Sequence, residues 1–215
     1  MKMPFSNEQF FDLFKNYNEA IFPLQIVFYA LGFLFAALTV IRKPWANITI
    51  SAGLSFLWLW MGLIYHLLFF STINKAAYAF GIAFIIQALL FAWYGIIRKK
   101  LFFEMHWNRY NITGWILIVF ALMVYPIIGY ALGHRYPIAP TFGLPCPTTI
   151  FTFGMLLLLN RKCPWILLIV PFLWSVIGIN AAITLGIYED IALIVSGLTA
   201  ATLILMHNRK LQIAL

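Results

Sequence analysis

Charge is scarce in this chain. Asp, Glu, Lys and Arg together make up 9% of its 215 residues, against roughly 25% in a soluble globular domain, and that excludes an ordinary solvated surface. Cysteine is scarcer still. Cys146 and Cys163 are the only two, too few for a disulfide framework, and they are expected on opposite membrane faces, where they cannot pair. The start does not read as a secretory signal: no basic segment leads into a short apolar one, and Glu8, Asp12 and Glu19 interrupt it. Close Cys/His ligand clusters are absent as well, and no carboxylate is expected inside an apolar run.

What fills the chain instead is apolar sequence. Hydrophobic residues make up 64% and aromatic residues 18%. Uncharged stretches of about 20 residues match the helix length that a bilayer core of ~30 Å demands. The expected fold is an all-α integral membrane protein, a bundle of about seven transmembrane helices in a single domain spanning 1–215. The spans are placed near 21–41, 47–70, 76–97, 112–132, 147–160, 164–186 and 190–207. The 14 basic residues against 6 acidic ones sit in the gaps between runs. That placement argues for membrane orientation rather than nucleic-acid binding.

The gaps after odd-numbered runs hold Arg42, Lys43, Arg98, Lys99, Lys100, Arg109, Arg161, Lys162, Arg209 and Lys210, and the opposite side holds Lys2, Lys15, Lys75 and Arg135. By the positive-inside rule the N-terminus is outside and the C-terminus cytoplasmic. Residues 1–20 read as a short interfacial amphipathic helix: Ser6 with Gln9 makes a capping box, and Phe10, Phe11, Phe14, Tyr17 and Ile21 form one stripe. Glu189 and Asp190 stand where the dipole of the seventh helix favours negative charge, and Asn47, Asn74 and Asn111 stand as N-caps. Arg42-Lys43-Pro44-Trp45 is echoed by Arg161-Lys162-Cys163-Pro164-Trp165, which leaves open a parallel repeat of helices 1–3 and 5–7.

The candidate site is the Pro/Gly-rich stretch from Gly133 to Gly154. The fifth run, 147–160, would be about 21 Å long at ~1.5 Å per residue, short of the hydrocarbon core. The loop before it is therefore expected to re-enter the membrane, which requires burial in protein or a cavity. Pro147 suits the first helical position, which puts Cys146 at the N-cap, with Thr148 and Thr149 in the first turn and free N–H groups facing an anion or a thiolate. His134 and Tyr136 in the loop, His66 in the second span and Asn180 in the sixth lie on the same outer side. His66 is the one ionisable side chain clearly inside a span, a functional-site hypothesis by default. His66, His134 and Cys146 are candidate ligands for zinc or copper(I), and two histidines could hold haem, without diagnostic spacing for either. Cys146 with His134 could be a nucleophile–base pair.

The start (Pro4-Phe5, Glu8-Gln9-Phe10-Phe11, Tyr17-Asn18-Glu19-Ala20), the segment Trp60-Met61-Gly62 with Tyr65-His66, and above all Gly133-His134, Tyr136-Pro137 and Pro140 through Gly154 carry a resemblance. On these residues the chain resembles an uncharacterised family of bacterial multi-pass membrane proteins, a domain of unknown function. The resemblance implies the bacterial inner membrane and supplies no activity. Three functions stay open: a small permease or ion- or solute-binding protein, a metal- or haem-handling or redox enzyme subunit using Cys146 with His134 or His66, and a non-catalytic accessory subunit. The enzyme reading is the less favoured. The lipid bilayer is the expected partner, with a small solute or ion, and with a second copy or a membrane-complex subunit left open.

Overall fold

The computed structural model describes residues 4–41 and 43–213, with the backbone alone at 180, 181 and 213. Among the described residues all regular structure is helical. The helices are α1 (Asn7–Ile21) and α2 (Leu24–Leu38), α3 (Pro44–Thr72), α4 (Ala77–Ile97) and α5 (Arg109–Ala131), α6 (Pro145–Leu157), then α7 (Ile166–Leu185) and α8 (Tyr188–Gln212). Five of these, α3, α4, α5, α7 and α8, are long and apolar enough to cross a membrane. The pair α1 and α2, bent by 84°, would make a sixth. Their outward side chains are apolar too: Ile82, Leu89, Ile116, Ile127, Ile183 and Val195 are each more than half exposed.

The run at 21–41 becomes the 15-residue α2, and the run at 147–160 becomes the 13-residue α6. Helix α6 is short because it is the centre. It packs against α5, α7 and α8, and every residue in it except Cys146 is buried. Its approach to α5 is backbone on backbone. A methyl group added at Gly154 would stand 2.7 Å from the carbonyl oxygen of Gly114, and one at Gly114 would stand 2.7 Å from that of Gly154.

Helix α1 is amphipathic in the expected sense, with both halves of the Ser6–Gln9 capping box formed. Its apolar stripe, Phe10, Leu13, Phe14, Tyr17 and Ile21, is buried while Glu8, Asp12, Lys15 and Glu19 are exposed. Asn18 on the same face ties down the Pro/Gly-rich loop. Its Nδ2 donates to the carbonyls of Pro137 (2.7 Å) and Ala139 (2.8 Å), and its Oδ1 accepts from the Thr141 hydroxyl at 3.1 Å. A loop without ladder hydrogen bonds needs such partners for its buried carbonyls.

Two of the expected N-caps are displaced into helices. Pro44 already supplies the first turn of α3, so Asn47 lies inside it and accepts from the Phe103 N–H at 2.7 Å. Helix α5 is capped by Asn108, whose side chain accepts from the N–H groups of Tyr110 and Asn111. Asn111 itself donates to the Leu157 carbonyl at 2.8 Å, pinning the end of α6. Asn74 Oδ1 does accept from the Ala76 N–H, one turn before α4. The α3 helix widens to π geometry over Met61–Phe69, a distortion often found at functional sites. There Met61, Gly62, Tyr65 and His66 all face inward.

Candidate functional site

Helix α6 begins two residues earlier than its sequence suggests. Leu144 is extended (φ −83°, ψ 157°), as the residue before a proline prefers, and Pro145 takes the first helical position. Cys146 is therefore not the N-cap but a first-turn residue, and it is the one side chain of α6 with partial exposure. The threonine hydroxyls are differently occupied. Thr148 Oγ1 accepts from the Gly143 N–H at 3.0 Å, where Gly143 has φ +101° and lies against the Phe28 ring. Thr149 Oγ1 is buried without a hydrogen-bond partner.

What Cys146 faces comes from the other end of the chain. Helix α7 ends at Gly186 (φ +74°), and the chain turns directly into the 3₁₀ turn Tyr188–Asp190 at the head of α8. That turn puts two consecutive carboxylates inside the protein: Glu189 is 2% and Asp190 4% exposed. Glu189 Oε1 lies 2.7 Å from His134 Nδ1, and Oε2 has no partner among the described residues. Asp190 Oδ1 accepts from the Tyr125 hydroxyl at 2.5 Å, and the Cys146 thiol lies against the same carboxylate. No Lys or Arg pairs with either acid among the described residues. The expectation that these acids merely complement a helix dipole, with no carboxylate inside the apolar bundle, is corrected here. The dipole argument fits their position, but it says nothing about which way the turn aims them.

Asp190 and Cys146 form part of the wall of a cavity of about 120 Å³. Phe10 and Phe14 of α1, Tyr65 of α3, Phe80 of α4 and Trp174 of α7 supply the opposing faces. The N-terminal helix is thus a wall of the site and not just a lead-in. The amphipathic stripe was visible in the sequence, but the surface it covers was not.

The remaining sequence candidates scatter. His66 is fully buried in an aromatic enclosure, with ring centroids 4.5 Å from Phe84 and 5.1 Å from Trp174. Neither of its nitrogens finds a hydrogen-bond partner among the described residues. It stands behind Trp174 rather than on the cavity wall. His134 is engaged by Glu189 and packs on Phe11 at 5.3 Å. Tyr136 is 53% exposed and beside Phe22. The side chain of Asn180 lies outside the described residues. No group of three His, Cys, Asp or Glu side chains suited to a metal ion occurs among the described residues, so His66, His134 and Cys146 do not come together as a ligand set. Cys163 lies at the far end of the bundle, clamped by Asn208, which accepts from its N–H (2.9 Å) and donates to its carbonyl (2.8 Å). Burial pushes its thiol up to about 12.

A carboxylate that is enclosed and lacks a basic partner can do two things: bind a cation or carry a proton. Fold and site together define a helical bundle with five or six helices fit to cross a membrane and a small acid-walled cavity at one end. The chain belongs to a family of unknown function, DUF6064, whose model matches residues 7–214. No curated protein and no solved structure matches the chain significantly.

Proposed function

We propose that this is a small permease or solute-binding protein of the bacterial cell membrane, and that the cavity beneath the 133–149 loop is its solute site. One observation carries the reading. Glu189 and Asp190 are buried side by side, answered by a histidine and a tyrosine hydroxyl instead of by Lys or Arg. Burying an ion costs several kcal/mol even after relaxation, so a fold that buries two adjacent acids for structure alone would favour a basic partner. The membrane reading rests on the five apolar helices and on the basic residues gathered at the end opposite the cavity. It gives seven passes, with the N-terminus outside and the C-terminus cytoplasmic. The short helices α2 and α6, about 22 and 20 Å at ~1.5 Å per residue, then have their depth completed by the bend to α1 and by a re-entrant loop at 132–144, non-helical backbone that is tolerated where it lies in protein or lines a cavity.

The two cysteines supply the test. A membrane-impermeant methanethiosulfonate reagent is applied to right-side-out and to inverted vesicles containing the full chain. Cys146 should be labelled in the right-side-out vesicles alone, and Cys146→Ser should abolish the signal. Cys163, 3% exposed and clamped by Asn208 at the other end of the bundle, should stay unlabelled in both. Labelling of Cys146 from the inverted side contradicts an outward-facing site.

A further inference from the structure

We infer that the solute of this cavity is a small organic cation, an alkylammonium ion of about five or six heavy atoms, held against ring faces with Asp190 as its counter-charge. The inference rests on the reading of the cavity as a solute site. It follows from what the wall contains and lacks. The rings of Tyr65, Phe80 and Trp174 from three different helices line it, with Phe10 and Phe14 closing from α1, and gathered aromatic rings attract a cation through the quadrupole of their faces. Asp190 is the one formally charged side chain on the wall among the described residues.

Other solute classes fit worse. An anion would meet a carboxylate and no cationic group. A sugar-like solute would find too few hydrogen-bonding side chains, since beyond Asp190 the wall offers Asn74, the Tyr65 hydroxyl, the Trp174 indole N–H and the Cys146 thiol. A bare metal ion needs several oxygen or nitrogen ligands, and the wall provides one carboxylate. A neutral apolar solute would leave Asp190 with the Tyr125 hydroxyl and the Cys146 thiol but without a counter-charge. The Trp174 indole N–H lies against the Cys146 thiol, which ties these two side chains into one wall. Size decides the rest: a cavity of roughly 150 Å³ accommodates benzene, so about 120 Å³ suits tetramethylammonium or a short primary amine.

Cation and proton should also exclude each other at Asp190. Its carboxylate is faced by Tyr125 from α5, by Cys146 from α6, by Glu189 from its own turn, and more remotely by Tyr65 from α3 and His134 from the loop. None of these supplies a permanent positive charge, so binding of the solute cation must tighten as pH rises and the carboxyl loses its proton.

The test uses the purified full chain in detergent, with thermal shift against concentration for three probes of like shape: tetramethylammonium, tert-butanol and pivalate. Tetramethylammonium should bind and the other two should not. Asp190→Asn should weaken it by at least about thirtyfold, the lower end of what removing one partner of a buried charge pair does. Phe80→Leu, which keeps the fold and most of the volume but removes a ring face, should weaken it by roughly three- to tenfold. The second variant decides the matter if the first does not fold. Equal binding of tert-butanol and tetramethylammonium overturns the cation assignment and leaves the solute site standing. Binding of none of the three overturns the solute site as well.

Discussion

The pairing of His134 with Glu189 offers the sharpest quantitative handle. The Glu189 side chain is wholly enclosed, and the His134 side chain is 12% exposed, so solvent does little to screen their 2.7 Å contact. Since Oε2 of Glu189 has no partner among the described residues, His134→Ala strips the carboxylate of the hydrogen-bond partner those residues give it. Stranding a buried charge in this way costs about 3–5 kcal/mol. The α8 N-terminus returns about 0.3–1 kcal/mol of that through its dipole, so the lower end, about 3 kcal/mol, is expected. For a chain of this length that is a fall of roughly 6–12 °C in melting temperature. Glu189→Gln removes the charge itself. The double variant should therefore recover part of the loss, with a coupling of roughly 1–3 kcal/mol. Differential scanning fluorimetry on the four proteins measures both. A shift below about 1 °C for His134→Ala, or strict additivity in the cycle, would refute the claim that His134 supports the buried Glu189 carboxylate.

Three further outcomes follow from the packing. Gly154→Ala should destabilise by about 1–3 kcal/mol, the range for overpacking, because its methyl group meets the Gly114 carbonyl oxygen and the Ile118 backbone nitrogen, which cannot step aside as the Ile118 side chain can; thermal melts check it. Asn18→Ala should cost roughly 2–3 kcal/mol by leaving the Pro137 and Ala139 carbonyls short of a donor, and it should expose the 133–144 loop to protease in limited digestion. Cys163 should resist alkylation at neutral pH. Burial raises its pKa to about 12, so the stability its protonated form contributes is complete below the ordinary thiol pKa of about 9 and is lost as pH climbs toward 12, where mass spectrometry should first show modification.

The residues differ in how much of this they announced. The paucity of charge alone gives the class of fold, since nothing but apolar surroundings lets Ile82, Ile116 and Val195 face outward. The Pro-Cys-Pro stretch was correctly a helix start, but two prolines compete for one first position. The earlier one wins because Leu144 before it is free to be extended. The length of α6 was readable, whereas its cause, burial on every side by α5, α7 and α8, is a long-range fact. Glu189 and Asp190 were misread for a related reason. Adjacent acids at a helix start satisfy the dipole whether they point to water or to the core, and the direction is set by the tight turn after Gly186. Their rarity was the available signal: two of the six acids stand together between two apolar runs, with no basic residue beside them. His66 was visible as an oddity, but its separation from Cys146 by the Trp174 ring was not.

The account turns on whether Cys146 and Asp190 share a wall that a solute occupies. The rate of Cys146 labelling by a small neutral thiol reagent, measured on the intact protein with and without saturating tetramethylammonium, addresses this directly. The predicted result is slowing by at least about tenfold with the ammonium ion and none with pivalate, and loss of that protection in Asp190→Asn. An unchanged rate in the presence of the ion, with Cys146 freely reactive, would contradict the account.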